Sequence, residues 1–157
     1  MRSEKMTDKS FDILVVGAGH AGLEAALAAS RLGCQVGLLT FDRNKIATMS
    51  CNPAIGGIAK GTVVREVDAL GGVMGRATDM ARIQFRMLNR SKGPAVWSPR
   101  AQCDRALYRR AVRQLLEARP NLHFAQGTAA SLVIRGGRIA GVVTNEGLTI
   151  GARAVVL

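Results

Sequence analysis

The chain contains no long apolar run: none of its hydrophobic stretches approaches the roughly 20 residues a helix needs to cross a bilayer. That excludes a membrane-spanning helix within it. Metal-ligand patterns are missing too, since Cys34, Cys51 and Cys103 are widely spaced and form no ligand pair. Three is an odd number, so free thiols in a reducing compartment are expected rather than a disulfide framework. Met1–Ser10 is polar and charged rather than a secretory signal, so nothing points to export, and the free thiols suit a reducing cytosol. No internal repeat or low-complexity segment occurs. Acidic residues are scarce, 11 against 22 Lys and Arg, for a net charge of +11. Between Arg76 and Arg119 eleven basic residues face only Asp79, Asp104 and Glu117, so +8 of the +11 lies there. Such a block favours a polyanionic partner through counterion release, or else forms a solvated arginine-rich surface.

What is present is a nucleotide-binding pattern. Phe11–Val16 reads as a buried parallel strand, followed by Gly17-Ala18-Gly19-His20-Ala21-Gly22. His20–Leu32 follows as a helix stopped by Gly33, and Gln35–Thr40 as a second strand. Strand, helix and strand close a βαβ unit in about 30 residues. In the glycine turn, Gly17 permits the bend, Gly19 lets a pyrophosphate approach the backbone, and Gly22 lets the helix pack on the strand. Ala26 extends the small-residue face, as in FAD-binding variants of this turn. His20 either faces the cofactor or helps cap the helix. The second strand ends in Thr40, where an acidic residue usually holds the ribose, with Asp42 two residues later.

Phe41–Gly57 reads as an ordered loop containing Ser50-Cys51-Asn52-Pro53 and Gly56-Gly57. A lone cysteine here is expected near the redox ring of a bound dinucleotide. Loop amides, a helix start near Ile58 and Lys60 would favour its thiolate; the alternative is a small buried hydrophobe. Cys34 and Cys103 read as structural. Further along, Ala59–Leu70 is expected as a helix and Ile83–Trp97 as an irregular hairpin. A helix capped by Asp104 runs to before Pro120, with an apolar face of Leu107, Tyr108, Ala111, Val112, Leu115 and Leu116. Arg105, Arg109 and Arg113 recur on another face. Phe85 and Trp97 are either base-stacking aromatics or core. Leu122–Gln126, Ala129–Ile134, Arg138–Thr144 and Leu148–Ile150 read as short strands, and Arg153–Leu157 as the start of another.

The fold class is therefore α/β: a Rossmann-like domain with a parallel sheet and a small β-rich insertion. Residues 1–10 form a polar tail and residues 11–157 a partial dinucleotide-binding domain. At 157 residues the chain is short for a complete nucleotide-dependent enzyme, and an amino-terminal piece, truncated at its carboxyl end, is expected.

The GAGHAG turn, Met49–Gly61 with its CNPAIGG string, Glu66–Gly72, Ile83–Asn89 and Ser91–Trp97 together resemble the amino-terminal part of the GidA/MnmG family. Ala101-Gln102, Asp104-Arg105 and Tyr108 continue the likeness. The resemblance implies cytoplasmic, homodimeric FAD proteins that use NADH and a folate one-carbon donor. With a GTPase partner, these proteins add a carboxymethylaminomethyl group to the wobble uridine of certain tRNAs. It implies that Gly17, Ala18, Gly19, His20, Ala21 and Gly22 hold the FAD pyrophosphate, that Cys51 is catalytic, and that the Ala129 backbone contacts the adenine end. Two other readings stand beside it. One is a folate- and FAD-dependent tRNA uracil methyltransferase; the other is a non-catalytic remnant that binds nucleotide or nucleic acid.

Overall fold

The computed structural model describes residues 10–157. The expected polar tail therefore lies outside the described residues, apart from Ser10. The chain divides into two compact units, the first containing residues 10–46 and 119–157 and the second residues 47–118.

The first unit is built on parallel strands. The apolar run at the start becomes β1 (Ser10–Val16), the glycine turn leads into α1 (His20–Arg31), and β2 (Val36–Thr40) is buried along its whole length. β6 (Leu122–Gln126) pairs with β2, and β9 (Thr149–Val156) pairs with β1, both in parallel. β7 (Ala129–Arg135) and β8 (Arg138–Thr144) add antiparallel strands, giving the order β6-β2-β1-β9-β8-β7. In a flat sheet, β6 and β7 would lie five spacings apart, about 24 Å. The three Cα–Cα steps from Gln126 to Ala129 reach at most about 11 Å. The sheet must therefore curl, bringing the β7–β8 hairpin back over one face of the parallel strands. The core shows this directly: Phe11, Leu14, Leu39 and Ala125 of the parallel strands pack with Val142, Ile150 and Ala152. Leu148–Ile150 and Arg153–Leu157, expected as separate strands, are largely one. β9 pairs with β8 through Thr149–Gly151 and with β1 through Gly151–Val156, so no break is needed between them.

The second unit carries the three-stranded antiparallel sheet β3-β5-β4, made of β3 (Ala54–Gly56), β4 (Arg82–Leu88) and β5 (Ser98–Cys103). β3 lies inside the segment expected to be loop. Its helices are α2 (Ile58–Ala69), α3 (Met74–Ala81) and α4 (Arg105–Glu117). α3 was not expected from the sequence: Gly75 lowers helix propensity, and its buried face is only Ala77, Thr78 and Ala81. α4 begins as its cap requires, with the Asp104 carboxylate accepting from the Leu107 amide at 2.8 Å. Tyr108, Ala111, Val112 and Leu116 are buried, and α4 packs on α3. Leu107, expected on that face, is half-exposed; it falls one residue, about 100°, ahead of Tyr108 and onto the shoulder of the stripe.

Candidate functional site

The glycine turn in the first unit lies at the carboxyl edge of the parallel strands. Gly17 has φ +105, a conformation costly for a residue with a Cβ. A Cβ on Gly22 would lie 1.9 Å from the Gly17 carbonyl oxygen, so only glycine allows the turn to fold under α1. Gly19 differs. Its φ of −73 suits any residue, and nothing lies within 4 Å of where its Cβ would be. Glycine is not required there by the fold, and the space over its backbone is open.

Gly19 caps α1 without a side-chain hydrogen bond, and the first turn holds no acidic residue. The first helical hydrogen bond runs from Leu23 N to Gly19 O, leaving the Ala21 and Gly22 amides ahead of it. Such an end presents N–H groups and the positive end of the helix dipole to an anion. Ala18 is buried, Ala21 exposed, and His20, the first residue of α1, half-buried. Ala26 is fully buried one turn after Gly22, continuing the small-residue face.

Two backbone bonds gather the remaining expected residues at the same edge. Gly17 N donates to Leu39 O at 2.8 Å, and Gly127 N donates to Thr40 O at 2.9 Å. Thr40 is buried, and its hydroxyl is 3.4 Å from the Asp42 carbonyl it donates to. The Asp42 carboxylate accepts from Asn44 N at 2.8 Å, capping a short 3-10 turn at Arg43–Lys45. Ala129 opens β7, two residues after Gly127, and pairs with Thr144. Sequence reasoning passed over Asn121. Its side chain accepts from Ser30 Oγ and donates to the Ser30 and Cys34 carbonyls, tying the end of α1 to the start of β6. Its only sequence signal is an asparagine immediately before a strand.

In the second unit, Cys51 is exposed, not a buried hydrophobe. Its loop is held mainly through the backbone. Arg105 Nη2 donates to the Cys51 carbonyl, Cys103 N donates to Pro53 O at 2.7 Å, and Ala54 N donates to Asn52 O at 2.7 Å. The Lys60 ammonium donates to Ala54 O at 3.0 Å, at the start of β3. Gly56 is required where it stands, since its Cβ would lie 2.1 Å from Pro99 O. Cys103 is buried, and burial pushes its thiol up from the ordinary value, with the Thr78 hydroxyl pulling the other way. Cys34 is half-buried. Neither Phe85 nor Trp97 is core: they are 54% and 46% exposed, and the Trp97 indole donates to Arg90 O at 3.3 Å.

The arginine repeat on α4 is not an open stripe. Arg105 is exposed but engaged at the Cys51 loop, while Arg109 and Arg113 are half-buried. The other exposed cations of this unit are Lys60, Arg65, Arg76, Arg82, Arg86, Arg90, Lys92, Arg100 and Arg110. Arg86 and Arg100 stand directly opposite each other on β4 and β5. Among the described residues, no group of His, Cys, Asp and Glu is placed to hold a metal ion, and no helix is long and apolar enough to cross a membrane.

Comparison with known proteins places these features in a family. The profile of the family described as glucose inhibited division protein A matches residues 12–157. A tRNA uridine 5-carboxymethylaminomethyl modification enzyme of Phocaeicola vulgatus is 58% identical over 150 residues, 96% of this chain and 24% of that protein. The enzyme of the same name from Porphyromonas gingivalis is 62% identical over 148 residues, again 24% of its length. The solved structure of Aquifex aeolicus GidA superposes with a TM-score of 0.89 at 49% identity, covering 93% of this chain and 24% of that one. The chain thus spans about a quarter of the length of the relatives it matches. With its glycine turn, its Cys51 loop and its mixed α/β architecture, the chain belongs to the glucose inhibited division protein A family.

Proposed function

We propose that this chain is the FAD-binding amino-terminal portion of a tRNA wobble-uridine modification enzyme. The observation that carries the reading is the open space over Gly19, at a helix start with no side-chain cap, in a family whose named relatives modify tRNA uridine. The residues fit the cofactor. Gly17, Ala18, Gly19, His20, Ala21 and Gly22 would take the pyrophosphate on backbone N–H groups, and Thr40 would meet the ribose with its hydroxyl. Ala129 would meet the adenine end with its backbone. FAD, when bound, supplies the redox chemistry.

Cys51 supplies the thiol, as nucleophile or as acid–base group, from an exposed position on a loop that its neighbours hold in place. The exposed cations of the second unit suit a polyanion such as tRNA. NADH as reductant, a folate one-carbon donor, a GTPase partner, a homodimeric assembly and a cytoplasmic location belong to the same proposal. Relatives at 58% and 62% identity carry the carboxymethylaminomethyl name, which does not favour the uracil methyltransferase reading.

Replacement of Cys51 in the full-length protein tests the assignment. Cys51→Ser should leave bound FAD and tRNA affinity nearly unchanged while abolishing uridine modification, measured by nucleoside mass spectrometry. Wild-type levels of modified uridine would make Cys51 structural.

A further inference from the structure

Arg105 occupies a position where a cation is unfavourable. It opens α4, whose first turn contains no acidic residue, and a positive charge there opposes the helix dipole. Asp104, the N-cap, offsets part of this, but its carboxylate is already used on the Leu107 amide. Among the described residues the Arg105 guanidinium has no carboxylate partner. Its bond goes instead to the Cys51 carbonyl, 54 residues earlier in the chain.

The neighbouring bonds make this contact part of a clamp. Cys103 N donates to Pro53 O, and Asp104 N donates to Ala81 O at the end of α3. The segment Cys103–Arg105 therefore grips Cys51–Pro53 at two points while being fastened to α3. Cys51 lies outside any helix or strand, so the bond from Arg105 restrains the direction of its carbonyl and, through it, the backbone that carries the side chain. A local rule is broken at the first residue of α4 where a distant loop gains an anchor, a pattern expected at functional sites.

We infer that Arg105 is a positioning residue for the Cys51 thiol: its guanidinium holds the Cys51 carbonyl and so aims the side chain. The inference rests on the reading of Cys51 as the reactive thiol. Its effect falls on geometry, and a misplacement of about 1 Å is enough to cost on the order of 100-fold in rate.

Two readouts separate the clamp from the catalytic reading. Iodoacetamide labelling with peptide-resolved mass spectrometry reports the Cys51 alkylation rate against Cys34 in the same molecule. Arg105→Gln, too short to reach the carbonyl, should change the Cys51 rate by at least about threefold with Cys34 unaffected; an unchanged Cys51 rate overturns the clamp. In the full-length protein, Arg105→Gln should lower kcat for uridine modification about 100-fold, leaving KM for tRNA and FAD content near wild type. Arg105→Lys keeps one donor and should recover kcat to within about tenfold of wild type. A rise in KM with kcat preserved would make Arg105 an RNA contact and overturn the inference, and so would a kcat loss that lysine does not relieve. Full activity in Cys51→Ser, with the labelling change intact, would remove the catalytic reading while leaving the clamp standing.

Discussion

The two units of this chain hold their loops by different means. In the first, the glycine turn is built largely from its own neighbours: Gly17 and Gly22 sit against each other, and Leu23 bonds back to Gly19 within five residues. In the second, the Cys51 loop has little local structure, and it is pinned by Cys103 and Arg105 from about fifty residues further on. A turn of the first kind depends mainly on residues close in the chain, with one bond from Gly17 N to Leu39 O anchoring it to β2. A loop of the second kind depends on α4 and β5 having folded, so its geometry can be disturbed from a distance without touching it.

Gly22 gives the largest contrast. A side chain there meets the Gly17 carbonyl at 1.9 Å, and backbone cannot move aside as a flexible side chain can. Gly22→Val should cost at least about 3 kcal/mol, enough to unfold a marginally stable protein, and thermal unfolding followed by circular dichroism measures it. A Gly22→Val protein that melts with the wild type would erase the contrast between the two loops.

A smaller effect concerns charge. Since Arg105 is engaged and Arg109 and Arg113 are half-buried, the cations placed to meet phosphates are exposed ones such as Arg86, Arg100 and Arg110. Replacing these three with Gln in the full-length protein should lower the salt slope of tRNA binding by about 2 to 3, roughly one for each phosphate left without its cation. Filter binding across a salt series reads this directly. An unchanged slope would leave these charges as solvated surface and place the tRNA elsewhere.

The smallest effect is alkaline. Burial raises the Cys103 thiol above the value it has in the unfolded chain. The folded state therefore keeps that proton longer. The stabilisation is complete below the unfolded thiol's pKa and is lost as pH rises from there through the raised folded value. Denaturant unfolding at pH 7 and pH 10 should show a decline that is shallower in Cys103→Ala. An equal decline in both proteins would assign the alkaline sensitivity to other groups.

Much of the first unit was legible because its information is local. β1, α1 and β2 follow from an apolar run, a glycine turn and a second apolar run, and the Asp104 cap fixes the start of α4 in the same way. What escaped was non-local or weakly patterned. The curl of the sheet follows from a two-residue connection whose meaning appears only once β6 and β7 have partners. α3 is only eight residues long and buries small residues, Ala77, Thr78 and Ala81, and β3 is three residues long inside a glycine-rich loop. Asn121 carries no pattern of its own, and Arg105 reads as one member of a basic repeat. Their partners lie 91 and 54 residues away, beyond any spacing rule.

Two glycines three residues apart differ: Gly22 serves the fold, and in the proposed function Gly19 serves the ligand. Gly19→Val adds a side chain into open space at an ordinary φ, so its cost to the fold is only that of a poor N-cap, about 1 kcal/mol. The decisive measurement is the flavin content of purified full-length Gly19→Val, read from its visible absorption beside its melting temperature. The variant should fold, melting within a few degrees of wild type, and be colourless, because the new side chain occupies the pyrophosphate's place. Stoichiometric flavin in a folded Gly19→Val protein would contradict the assignment of this turn as the cofactor site.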